Sequence, residues 1–143
     1  MTQRTRGYSL IELMVIVAVL AIITAIAVPS YRTYMQRAQR ADATAALLAL
    51  RSAQEKFFLQ NSRYVTSVAD MTADKPAGLG LGATSEHGHY TVTIAAGATP
   101  NTTFVATATA TGGQTADSRC QTFTINEAGV RNSAPAGITT CWK

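Results

Sequence analysis

The chain has 143 residues, enough for one compact domain and a projecting helix, so no second domain is needed. Its 12 Lys and Arg against 8 Asp and Glu give a net charge of +4, part of it from Arg4 and Arg6, and the remainder is too weakly basic to argue for nucleic-acid binding. The acids Asp70, Asp74, Glu86, Asp117 and Glu127 are scattered over loop-like stretches with no catalytic grouping or phosphate loop, so neither an enzyme nor a cofactor is expected.

The N-terminal stretch Gly7-Tyr8-Ser9-Leu10-Ile11-Glu12-Leu13-Met14 leads into an apolar run that continues to Pro29. Glu12 is its only carboxylate. As a helix rising about 1.5 Å per residue, residues 8–30 can cross a hydrocarbon core of roughly 30 Å. Arg4 and Arg6, with no acid beside them, predict a cytoplasmic N-terminus and a translocated C-terminal domain. A secretory signal carries its small-residue cleavage site after the apolar core, whereas here the small residue, Gly7, comes before it. Cleavage there removes a short basic leader, residues 1–7, and leaves the span on the mature protein with a new amino group on Tyr8.

A carboxylate just inside an apolar span must be paired, neutralised or drawn to the interface. The Tyr8 ammonium, from the same helix or from another copy, is one counter-charge. An intermolecular pair makes Glu12 a register pin, as a single buried polar group does in a coiled coil. The alternative is a carboxylate lying idle among headgroups.

Basic leader, Gly at the cut, an acid fifth after it and a long apolar helix resemble the class III signal of the type IV pilin family, shared with the pseudopilins of type II secretion. The resemblance implies cleavage by a prepilin peptidase between Gly7 and Tyr8, N-methylation of Tyr8, and pairing of Glu12 with the N-terminus of a neighbouring subunit. It also implies an assembly platform in the inner membrane and a filament of homologous subunits as partners. The family usually has Phe where this chain has Tyr8. Pro29 removes the helical hydrogen bond to the carbonyl of Ala25 and predicts a kink there.

Tyr31, Arg32, Tyr34, Arg37 and Arg40 mark the boundary between bilayer and periplasm. Residues 37–60 are strong helix formers without Gly or Pro, which predicts that the helix continues to about residue 60. Ala43, Ala46, Leu47, Leu50, Ala53 and Phe57 form an apolar stripe, with Ala41, Ala45 and Ala49 widening it. Arg40, Arg51, Glu55 and Lys56 read as the solvated face, with Arg51 and Glu55 spaced to pair.

Residues 61–88 read as a long connection with a short turn around Val68 and Met71 and the breaker-rich stretch 75–82. The resemblance implies the αβ-loop of pilins. His87 and His89, at i, i+2, read as solvated residues ahead of a metal pair.

Over residues 89–126 the period changes to two. Tyr90, Val92 and Ile94 alternate with Thr91 and Thr93, Phe104, Ala106 and Ala108 with Val105, Thr107 and Thr109, and Phe123 and Ile125 with Thr122 and Thr124. Turns at 97–101 and 111–117 predict an antiparallel meander whose apolar face meets the helix stripe. Residues 126–129 read as a turn into the tail. The expected class is therefore α+β: a long N-terminal helix on a small antiparallel sheet, with residues 31–143 as the periplasmic domain.

On the translocated side, Cys120 and Cys141 are expected to form a disulfide, ahead of free thiols or a metal site, and closing a loop of about twenty residues is worth about 3 kcal/mol. The resemblance makes 120–141 the D-region of the pilin fold. The closing pattern, Cys-Gln-Thr-Phe-Thr-Ile-Asn with Gly129 and Cys-Trp at the end, is most similar to PilE-like and ComP-like minor pilins.

The resemblance points to a pilus subunit, leaning to a minor one, with adhesion, twitching motility or DNA uptake downstream. A DNA receptor is the second reading, carried by Arg119, Arg131 and Lys143, which weigh more towards scattered solvated cations. A pseudopilin is the third, and the C-terminal cysteine pair tells against it.

Overall fold

The computed structural model describes residues 8–142, so Gly7 of the expected cleavage site and the cation Lys143 lie outside the described residues. Helix α1 runs from Leu10–Asn61, with Pro29 inside it. The chain divides into a unit up to Met35 and a unit from Gln36 onward. The first unit is the apolar helical segment, and none of its most hydrophobic stretch is buried among the described residues.

In the second unit, the later turns of α1 are followed by α2, Val68–Thr72, and then by strands β1, Tyr90–Ala96, and β2, Phe104–Ala110. Strand β3, Cys120–Asn126, strand β4, Arg131–Pro135, and helix α3, Ile138–Cys141, complete it. The four strands form one antiparallel sheet in the order β1-β2-β3-β4. The alternation predicted for the first three strands is the alternation observed, with Tyr90, Val92, Ile94, Phe104, Ala106, Ala108, Phe123 and Ile125 all buried. The alternating threonines pair across strands on the other face, Thr91 with Thr109 and Thr109 with Thr122. Their branched side chains suit a pleated, half-exposed surface.

Ala43, Leu47, Leu50 and Phe57 of α1 join these strand residues in one core. Ala106 and Ala108 on an inner strand leave room for the helix to approach, and each fully buried Leu contributes roughly 1.5–3 kcal/mol. Ala46 and Ala53 pack at the margin of this core. The stripe is narrower than its alanines predicted, because Ala41, Ala45 and Ala49 are exposed. Polar residues occupy the buried positions instead: Asp42 and Gln54 turn inward on the same face.

The connection from α1 to β1 also contributes Tyr64, Val65, Met71 and Leu79 to the core. It folds back on α2, with Leu79 N–H donating to Asp70 O and Gly80 N–H to Ala73 O. Gly78 is required at this closure, since a Cβ there would overlap the carbonyl oxygens of Asp70 and Ala73. The fourth strand was not expected: Arg-Asn-Ser-Ala-Pro has no period of two, and pairing with β3 makes it a strand.

Candidate functional site

Two regions carry the residues singled out in the sequence: the start of α1 and the disulfide-bounded end. At the start of α1, the backbone carbonyl of Ser9 accepts from the N–H groups of Glu12 (3.1 Å) and Leu13 (3.2 Å). The Ser9 hydroxyl also accepts from Glu12 N–H at 3.3 Å. Ser9 therefore caps the helix, and Ser9-Leu-Ile-Glu12 has the spacing of a capping box. Ser9 was overlooked in the sequence, although Ser followed three residues later by Glu is the signal that marks it. Glu12 sits in the first turn, where unpaired N–H groups present partial positive charge, so its own helix offsets part of the cost of the carboxylate. Beyond it the run is bare: Leu10 is 77% exposed and Ile26 70%. An apolar surface of this extent belongs against lipid or other helices rather than water.

At the other end, Cys120 and Cys141 form the disulfide, with Cα atoms 5.7 Å apart. The enclosed segment is ordered from within. Ser133 is buried and its hydroxyl donates to Ala136 O at 2.9 Å, while Ala136 N–H donates to Arg119 O at 2.9 Å. Trp142 lies edge-on against Phe123, and its indole N–H donates to Asn132 O at 2.8 Å.

Of the three expected cations, the two that are described, Arg119 and Arg131, do not converge. Arg131 stacks over Trp142 at 5.1 Å and pairs in register with Ile125, whereas Arg119 precedes Cys120, which pairs with Pro135 at the other end of the ladder. Five residue steps along the strand separate Cys120 from Ile125, which is about 16 Å. Arg119 instead shares a groove with Arg37 and Arg40.

Arg40 is not part of a solvated face. Its guanidinium grips Asp117 in a fork, Nε to Oδ2 at 2.6 Å and Nη2 to Oδ1 at 2.9 Å, with the Asp117 side chain only 3% exposed. Burial works to raise the Asp117 pKa, but the Arg40 hydrogen bonds and charge outweigh it and hold the carboxyl below its usual value. Arg51 is likewise half-buried, donating to Glu127 O at 3.3 Å, while Glu55 accepts from the Tyr64 hydroxyl. No Arg51–Glu55 ion pair forms among the described residues.

Asp42, which the sequence reading passed over, ties α1 to the segment before β1. It accepts from the Ser85 hydroxyl at 2.6 Å and from the backbone N–H groups of His87 (3.3 Å) and His89 (3.4 Å). Burial again opposes these bonds, and the bonds prevail, so its pKa is lowered. His87 stays largely exposed, with Nδ1 3.3 Å from Asp42, and no group of three metal-ligating side chains exists among the described residues.

The family model described as "Type IV minor pilin ComP, DNA uptake sequence receptor" matches residues 29–124, and that of the prokaryotic N-terminal methylation motif matches residues 2–28. A type IV pilin from Shewanella oneidensis, solved at high resolution, is similar at 25% identity with a TM-score of 0.52, covering 76% of this chain and 98% of its own. A comparison with curated protein sequences finds no match. The methylation motif accounts for the capped apolar helix, the solved pilin for the helix on its antiparallel sheet, and the longest match spans well over half the chain: it belongs to the ComP family of type IV minor pilins.

Proposed function

We propose that this minor pilin is held in the inner membrane by residues 8–30, cleaved by a prepilin peptidase between Gly7 and Tyr8, methylated on the Tyr8 nitrogen and packed into a pilus with other pilins. The observation that carries the proposal is the first unit of α1, an apolar surface with no cover among the described residues. Lipid covers it in the stored subunit and neighbouring helices cover it in the filament. Glu12, close to the new terminus and supported by its own helix, pairs with the ammonium of an adjoining subunit and sets the register. Adhesion, twitching motility and DNA uptake are uses of the assembled filament.

Mass spectrometry of sheared surface filaments tests this reading. The expected result is a peptide beginning at methylated Tyr8, in small amount relative to the principal subunit. Glu12→Ala should leave membrane insertion intact and reduce the protein recovered in filaments. A mature protein confined to the membrane, with filaments present but lacking it, would favour the pseudopilin.

A DNA-receptor role is supported by the description of the matching family. Arg119 and Arg131 lie too far apart to make one compact site, so any duplex they held would run along the β3–β4 edge. A steeply salt-dependent shift of duplex DNA by the protein supports that role, and absence of binding at low salt removes it.

A further inference from the structure

We propose that the groove between α1 and the disulfide-bounded end holds the phosphate of an anionic phospholipid headgroup. The groove has a volume of about 480 Å³, and its walls include Arg37, Arg40, Arg119, Thr140 and Cys141, with no acid among the lining residues. Asp117 neutralises Arg40 from behind and holds it still, leaving Nη1 directed at the carbonyl of Thr140, 3.4 Å away. Arg37 and Arg119 are exposed, and neither has an ion pair among the described residues.

Their positions are built into the fold. Arg37 and Arg40 are three residues apart on one helix, hence on one face, and among the described residues only Arg40 already holds a counter-ion there. Arg119 is anchored on both sides of its backbone: its N–H donates to Asp117 Oδ1 at 3.2 Å, its carbonyl accepts from Ala136 N–H, and the next residue is in the disulfide. Guanidinium groups match phosphate oxygens in paired hydrogen bonds, which favours phosphate over a simple halide.

Several sources share this phosphate chemistry, and two features favour lipid. Arg37 and Arg40 belong to the aromatic and basic stretch 31–40, whose composition is the one favoured at the boundary between bilayer and periplasm. Among the described residues the groove has two free cations, enough for one headgroup, whereas a duplex needs a longer row of phosphate contacts. The proposal rests on the membrane-span reading of residues 8–30. Such a contact ties the stapled C-terminal segment to the membrane surface in the stored subunit and must be released on extraction.

Native mass spectrometry of the full chain in detergent, with equal amounts of phosphatidylglycerol and phosphatidylcholine, tests the site. The expected result is preferential retention of phosphatidylglycerol, weakened by salt, with Arg37→Gln and Arg119→Gln each lowering affinity roughly fivefold. Disulfide content and near-ultraviolet circular dichroism would establish that the variants are folded. Equal retention of both lipids, or retention unchanged in the double variant, overturns the proposal. So does full displacement by glycerol phosphate at the lipid's own concentration, which would assign the groove to a soluble phosphate, or arginine-dependent displacement by duplex DNA. Extraction of the protein from membranes by alkaline carbonate would instead overturn the membrane-span reading, leaving the groove's anion chemistry to be read from the soluble arm.

Discussion

Tyr90 faces inward from the first strand and is wholly buried, yet its hydroxyl is not orphaned: Gln114 Nε2 donates to it at 2.9 Å and also to Gln36 O at 3.1 Å. Burial is the main reason its pKa is pushed up to about 12, with the Gln114 hydrogen bond opposing the shift and the Asp117 charge adding to it. The folded state therefore holds the phenolic proton more tightly than the unfolded chain. Its contribution to stability is complete below pH 10 and is lost as pH rises towards 12. Urea unfolding of the detergent-solubilised protein should show a steeper loss over that interval than the Tyr90→Phe variant, and identical slopes would contradict the assignment. Asp42 and Asp117 act in the opposite sense: with pKa values below 3.8, both stabilise above that pH and lose their contribution as it falls through the folded value.

Helix α1 holds the connection to β1 through polar groups as well as through its apolar stripe. Gln54 is fully buried and bonds both backbone groups of Val65, its amide donating to the carbonyl at 2.6 Å and its oxygen accepting from the N–H at 3.0 Å. Replacing it with Ala strands a buried donor and a buried acceptor, an expected cost of about 2–4 kcal/mol. Gln54→Leu should not restore stability, because the loss lies in the hydrogen bonds and not in the volume. Chemical denaturation of the two variants checks this, and near-wild-type stability for Leu would show that packing dominates. The apolar stripe was legible because Leu and Phe recur at helical spacing. Gln54 and Asp42 were not, because a polar residue on a helix reads as solvated until its partner in the next segment is known.

The folded unit is closed by its C-terminal end. The bond from Cys120 to Cys141 spans 21 residues of sequence and fastens β4, α3 and Trp142 to β3. Cys141→Ser should lower stability by about 3 kcal/mol through the longer loop available to the unfolded chain. Urea midpoints of the variant and of the wild type under reducing conditions should then coincide, and a variant as stable as the oxidised protein would show that β4 and Arg40–Asp117 hold the end without the disulfide. That ion pair joins residues 77 apart in the chain and fastens α1 to the stretch just before β3, while Nη1 of the same Arg40 donates to Thr140 O inside the stapled segment at 3.4 Å.

Much of this protein can be read locally. The long apolar segment follows from composition, the continuation of its helix from propensity, and three strands from alternation, since each signal lies within a few consecutive residues. The cysteine pair was equally legible, because both residues lie on the same side of the apolar segment in the sequence. The fourth strand, the burial of Asp42, Gln54 and Asp117, and the separation of Arg119 from Arg131 depended on register between distant segments. No local pattern encodes that register. It is set when β3 pairs with β4 and α1 lies on the sheet, and only then does a charge acquire the partner that makes it a clasp, a groove wall or a free cation.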